Sequence, residues 1–302
     1  MTQDIDVVIP CAGRSADLLR LLRSLHQHCA VSMPDRIASV TVTDDRPSAA
    51  LAACLQKEFP AVRYVHGPSR GPAVNRNHGA SLSRAPWILF LDDDCYLRSD
   101  LLQAYADQRA AQPEADVFEG AIHAVGLRPN GNHHAPLNTT GGYLWTCNVL
   151  LRRTMFDAAG RFDEDYPFAC MEDCDLYQRL KTTAANIVFA PQAVVLHPWR
   201  SISEREVTRQ IISHAIYATK HPAFVHDWNL LHLLRLLRGR LRLYSQHRQL
   251  RIPLAKYRTV GYDLLSPLML FAVVRIAPLR RALWLRHGNR PALQTPSPVT
   301  RP

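Results

Sequence analysis

The feature that most constrains the fold is a repeated alternation in the first hundred residues. Short apolar, β-branched runs are followed by segments of about ten residues with helical spacing. Ile5 to Pro10 reads as a buried strand, and Leu18, Leu19, Leu21, Leu22 and Leu25 follow at helical intervals. Val40 to Thr43, Val62 to Val65 and Trp87 to Leu91 are further strands, separated by helical segments at Ala49 to Phe59 and Pro72 to Ser83. Such alternation predicts βαβ units, hence a Rossmann-like, mostly parallel sheet flanked by helices. Ligands of such sheets bind beyond the C-terminal strand ends. Polar clusters sit at three of those ends: Pro10–Arg14, Asp44–Asp45 and Asp92–Asp94.

The second half is less regular. Leu101 to Arg109, Arg153 to Ala159 and Cys174 to Leu180 read as helices, Leu144 to Leu151 and Ile187 to Ala190 as strands, and 124–142 as a long loop. Beyond Pro198 the chain reads as helical and basic. Residues 200–302 hold 18 Lys+Arg and 4 Asp+Glu, a charge of +14, whereas residues 1–199 carry −4. Three parts are therefore expected: an α/β domain over 1–200, a helical basic extension over 201–290 and a disordered tail over 291–302. In the extension, Leu230, Leu231, Leu233, Leu234, Leu237 and Leu241 run beside Arg235, Arg238, Arg240 and Arg242. That is a basic amphipathic helix, suited either to an anionic membrane surface or to covering the α/β domain with its arginines in water.

The acidic opening MTQDIDVVIP does not read as a signal peptide. The apolar run Pro267 to Val274 stops at Arg275, well short of the roughly 18–20 residues of a spanning helix. Seven scattered cysteines with no C-x-x-C read as free thiols in a reducing compartment. The expectation is a cytoplasmic protein that can lie peripherally on the inner face of the plasma membrane.

Several residues carry potential chemistry. Asp92-Asp93-Asp94 follows an apolar strand directly, and its carboxylates repel one another. A bound divalent cation relieves that repulsion, and a solvated turn does so too. Glu172-Asp173 suits either a helix start or a general base. His197 ends an apolar run, as a structural histidine or a metal ligand. Arg76, near a helix start, is either a phosphate ligand or a surface charge. Trp145 is either a stacking platform for a sugar ring or a core residue.

Taken in order, these pieces resemble glycosyltransferase family 2, inverting enzymes of GT-A fold. The resemblance runs through Asp6-Val-Val-Ile-Pro-Cys-Ala-Gly-Arg14, Val42-Thr-Asp-Asp-Arg46, Gly71-Pro-Ala-Val-Asn-Arg-Asn-His-Gly79 and Ile88-Leu-Phe-Leu-Asp-Asp-Asp94. It continues through Ala159-Gly-Arg-Phe-Asp-Glu164, Met171-Glu-Asp-Cys-Asp-Leu176 and Val195-Leu-His-Pro198, spanning roughly residues 4–200. It implies an Mn2+ or Mg2+ ion on Asp92 and Asp94, joined by His197, and a catalytic base at Asp173 oriented by Glu172, which also faces the acceptor. It implies donor contacts from Pro10, Arg14, Asp44, Asp45, Arg76, Asp92 and Asp93, and acceptor contacts from Trp145. The donor implied is a nucleotide-diphosphate sugar, commonly a UDP-sugar, and the acceptor a hydroxyl on a glycan or lipid-linked molecule of the cell envelope; no nucleic acid is expected. Asn75, Arg46-Pro47 and Arg161 depart from the family pattern. Two rivals are a sugar nucleotidyltransferase, whose Gly-rich opening loop is missing here, and a non-enzymatic basic protein that binds nucleic acid or membrane.

Overall fold

A computed structural model describes residues 3–31, 36–246 and 257–288; the tail expected over 291–302 lies outside them. One eight-stranded mixed sheet forms the centre, in the order β3-β2-β1-β4-β8-β6-β9-β5. Its parallel half is β1 (Ile5–Cys11), β2 (Ile37–Asp44), β3 (Val62–His66) and β4 (Trp87–Leu91). The connecting helices are α1 (Ser15–Val31), α2 (Ala49–Glu58) and α3 (Pro72–Ser81). This is the expected βαβ half. Successive side chains of a strand point to opposite faces, and both faces are covered. Trp87, Leu89 and Leu91 enter one core with Leu18, Leu22 and Leu55 of α1 and α2. Ile88 and Phe90 enter the other core, with Ala73 and Ala80 of α3.

The second half brings in antiparallel pairing. β5 (Tyr96–Leu97) precedes α4 (Leu101–Ala111) and β6 (Val117–Ala124). Next come β7 (His133–His134), β8 (Asn148–Arg152), α5 (Arg153–Ala158), α6 (Glu172–Thr182) and β9 (Ile187–His197). β8 lies antiparallel between β4 and β6, and β9 runs parallel to β6. β6 was not expected from the sequence, because Glu119, Gly120 and His123 interrupt its apolar pattern. β9 runs to His197 rather than stopping at Ala190, through a register shift opposite Gly120/Ala121. The short pairing of Tyr96 with Leu196 and Leu97 with Val195 draws the aspartate turn against the end of β9.

After β10 (Arg200–Ser201), which pairs with β7, the chain is helical. α7 (Glu204–Lys220) starts from a capping box between Ser203 and Glu206. Its Ile212, Ile216 and Tyr217 join the core that holds Phe90 and Leu176. α8 (Pro222–Asp227) and α9 (Leu230–Gln246) follow, then α10 (Tyr257–Arg275) and α11 (Ala277–His287), which packs on α7. Among the described residues no single helix is long and apolar enough to cross a membrane; α10 and α11 are bent apart by 96°.

Helix α3 carries Asn75 and Arg76, and it lies close on the sheet at Gly79. A Cβ there would stand 2.6 Å from Cγ1 of buried Val8 and 3.2 Å from Cγ2 of Thr43. Overpacking of this kind costs about 1–3 kcal/mol. Gly79→Ala is expected to lower the thermal midpoint by about 4–8 °C, read by calorimetry; an unchanged midpoint would show that α3 moves freely on the sheet.

Candidate active site

The aspartate turn, α3, the start of α6 and the end of β9 meet at one edge of the sheet. The three aspartates turn different ways. Asp93 is fully buried and faces Arg14, with Nε donating to Oδ2 at 3.0 Å and Nη2 standing 2.5 Å from Oδ1. Burial pushes the Asp93 carboxyl up to about 6, against the pull of Arg14. With the middle residue clamped, Asp92 and Asp94 face the site.

Asp92, Asp94 and His197 bring one ligand atom each within 4.8 Å of one another. His197 Nδ1 lies 2.9 Å from the Pro198 carbonyl, to which only an N–H can donate. In its neutral form the ring therefore presents Nε2 as a lone-pair acceptor, 3.5 Å from Asp94 Oδ1. That oxygen is buried and accepts no hydrogen bond. Two buried acceptors facing each other repel unless a ring proton or a metal cation stands between them, and an imidazole nitrogen with two carboxylates suits a divalent ion. The donor set therefore fits the metal that the sequence motifs imply. The other Asp94 oxygen is held by Arg200, whose Nε donates at 2.6 Å. Sequence reading missed Arg200, counting it only among the basic tail residues.

Arg76 is 4% exposed. Its guanidinium donates to Asp92 Oδ1 at 2.8 Å and to Glu172 Oε1 at 3.0 Å. Burial opposes the charge on Asp92, but Arg76 holds its carboxyl below the usual range. Glu172 and Asp173, both buried, open α6. Burial raises the Glu172 carboxyl above its ordinary value, although Arg76 opposes this. Burial, with Glu172 adjacent, pushes Asp173 well above the ordinary range. One Asp173 oxygen accepts the Cys174 amide at 2.8 Å. Met171, just before the pair, has φ 72°, a left-handed conformation that costs a non-glycine residue about 1–2 kcal/mol.

Of the other expected donor residues, Asp45 is half-buried and the rest are buried. Pro10 is buried in β1. Asp44 is fully buried, accepting from the Tyr64 hydroxyl at 2.9 Å and the Arg46 amide at 2.8 Å. Asp45 accepts the Ser69 amide at 2.8 Å. Asn75, one of the departures from the family pattern, ties two strand ends together by donating to the carbonyls of Thr43 (2.9 Å) and Cys11 (3.3 Å). Arg161 adopts φ 61°, the left-handed region that glycine favours.

On the far side, Trp145 stacks on Tyr143 with ring centroids 5.8 Å apart and planes 3° from parallel. Trp145 is half-buried and Tyr143 exposed. The loop that carries them is held from below by Glu119 of β6. Its buried carboxylate accepts the successive amides of Gly142, Tyr143 and Leu144 at 2.8–3.1 Å. Glu119 was also missed; its local signal is an acid within the apolar run Val117-Phe118-Glu119.

The profile described as "Glycosyl transferase family 2" matches residues 6–171. The chain belongs to glycosyltransferase family 2. An N-acetylglucosaminyl-diphospho-decaprenol L-rhamnosyltransferase of Mycobacterium tuberculosis is 34% identical over 259 residues, covering 71% of this chain and 82% of the relative. A pre-mycofactocin glycosyltransferase of the same species is 28% identical over 241 residues, covering 73% of this chain. The chain spans about half (48%) of that relative's length. Staphylococcus aureus TarS residues 1–349, solved with UDP, superposes with a TM-score of 0.56 at 16% identity, over 93% of this chain and 90% of that one. The family 2 chain described here thus has the GT-A sheet.

Removing the Arg76 cation leaves buried Glu172 and half-buried Asp92 uncompensated, a loss of about 3–5 kcal/mol. Arg76→Met is expected to be destabilised by that order at neutral pH. The depressed carboxyl of Asp92 contributes stability above the ordinary carboxylate range, and that contribution is lost as pH falls through its folded value. The variant lacks this contribution, so its deficit should persist down to about pH 4 (the ordinary Asp value) and shrink as the pH is lowered further, through the folded value. Denaturant melts across pH test this; a deficit independent of pH would show that Arg76 acts by packing alone.

Proposed function

We propose that this enzyme transfers a sugar from a nucleotide diphosphate to an acceptor hydroxyl with inversion, Asp173 acting as base. The observation that carries the reading is the pair of facing buried acceptors, Asp94 Oδ1 and His197 Nε2, beside Asp92. A divalent ion held by these three residues would neutralise the charge that gathers on the departing diphosphate. The remaining tasks fall to side chains. Asp173 takes the proton of the acceptor hydroxyl as its oxygen bonds to the anomeric carbon. The bond from that carbon to the diphosphate breaks, and its electron pair leaves with the diphosphate. Burial suits Asp173 to the task, because a raised carboxyl is a stronger base once ionised. Glu172 is pinned by Arg76 and fixes the first turn of α6, on which Asp173 stands. Arg14, Arg76 and Arg200 are the cations beside the three aspartates, each already paired with one of them.

A uridine nucleotide is proposed for the donor, in keeping with the TarS complex with UDP. For the acceptor we propose a lipid-linked or envelope glycan, in keeping with the relative whose name specifies a diphospho-decaprenol. The stacked Tyr143 and Trp145 offer an aromatic face for a sugar ring of that acceptor.

A panel of sugar nucleotides, tested with and without Mn2+, decides the matter. One donor should bind only with the metal, and Asp94→Ala should abolish that binding. Asp173→Asn should keep donor binding and lose turnover by about 10²–10⁴-fold. Binding of no donor under any metal condition would sink the proposal. The wild-type kcat/KM should fall on acidification through a midpoint above about 4, the ordinary carboxylate value, because the base must be ionised and burial raises its pKa. The same raised pKa makes the ionised form costly to fold: its stability contribution is full in acid and lost as pH rises through the folded value. Asp173→Asn should therefore melt higher than the wild type at neutral pH, and an equal or lower midpoint would contradict this burial cost.

A further inference from the structure

Helix α9 is clamped to the body on one side and open on the other. Its inner side is fixed by Arg240, which lies 3.2 Å from His134 Nε2 and 3.4 Å from the buried Asp263, and by Tyr244, whose hydroxyl donates to Asp263 at 2.8 Å. The Tyr244 ring lies so close to Gly131 that a Cβ there would sit 2.6 Å from it. Leu233 is buried on the same side.

The outer side is different in kind. Leu230, Leu234 and Leu241 are 65%, 53% and 62% exposed. At helical spacing they form one stripe within about 40° of arc. Arg238, Arg242 and Arg235 lie exposed along its flank, with Leu231 among them. Among the described residues no carboxylate pairs with these three arginines. From Trp228 to Pro302 the sequence holds 14 Lys+Arg and a single acid, Asp263, which is buried.

We propose that this outer face of α9 docks on an anionic phospholipid bilayer. Leucines side by side with arginines match the boundary between acyl chains and headgroups, the one surface that takes both. A nucleic acid would meet the arginines but leave the leucine stripe against phosphate. A second copy of this chain, packed face to face on the same patch, would set arginine against arginine. The clamped side of α9 is linked to the active site: Arg240 lies against His134, β7 pairs with β10, and Arg200 of β10 holds Asp94. None of this rests on the sugar-transfer reading.

The test is flotation of the full chain with vesicles of phosphatidylcholine alone or mixed with phosphatidylglycerol. The wild type should float with the mixed vesicles and not with phosphatidylcholine alone. The variant R235Q/R238Q/R242Q should bind about 100-fold more weakly. The variant L230S/L234S/L241S should lose about 10-fold or more, with its thermal midpoint unchanged because these side chains are exposed. The proposal is overturned if the wild type ignores the charged lipid, or if either folded variant floats like the wild type. It is equally overturned if the chain binds duplex DNA more tightly than vesicles and the leucine variant keeps that preference.

Discussion

A buried guanidinium bridges the two halves of this molecule where β4 and α6 meet. Arg76 reaches forward to Asp92 at the end of β4 and across to Glu172 at the start of α6. A buried ion pair is not a source of stability in general, since desolvation consumes most of the attraction. Its effect is geometric: a planar guanidinium fixes two carboxylates at once. One belongs to the cluster suited to a metal and the other neighbours the proposed base. The close fit of α3 at Gly79, the anchoring of Asn75 on two strand ends and the left-handed Met171 all bear on how this guanidinium is held.

The helices beyond β10 follow from the same need for cover. The sheet face built on Ile88 and Phe90 is closed partly by α5 and α6 and partly by α7, whose Ile216 and Tyr217 are buried there. Lys220, at the end of α7, reaches Asp163 and lies 2.7 Å from Asp165, and Trp284 of α11 donates to Asp165 at 3.1 Å. The basic extension is thus tied into the segment that precedes the acidic pair, while the outer side of α9 stays exposed.

The sequence was legible where physics is local. Strand alternation from Ile5 to Leu91 predicts the parallel half because both sheet faces are apolar. Asp92, Asp94, Glu172, Asp173 and His197 could be singled out because they stand where apolar runs end. The interior of the second half was not legible. Glu119 breaks the apolar pattern of β6, and its charge is satisfied by amides more than twenty residues away. Arg76, taken singly, reads as a surface charge, because its partners lie 16 and 96 residues distant. Arg200 lies 106 residues from Asp94. Partnerships of that length leave no periodic trace, so only the resemblance to a family could suggest such roles beforehand.

The Glu119 carboxylate has a consequence for how such an enzyme diversifies. Three consecutive amides converging on one anion make a nest, a backbone form that depends on the anion rather than on the loop's own side chains. Here the anion is supplied by the sheet, so the loop's course is set from beneath. The exposed ring of Tyr143 is therefore released from any duty to shape the backbone, while Trp145 still packs on the core and donates to the Leu137 carbonyl. Successive substitutions at Tyr143 can explore new ring faces and hydrogen-bond patterns while the carboxylates of the centre stay in place. A lineage built this way changes what it recognises without first having to relearn how to fold.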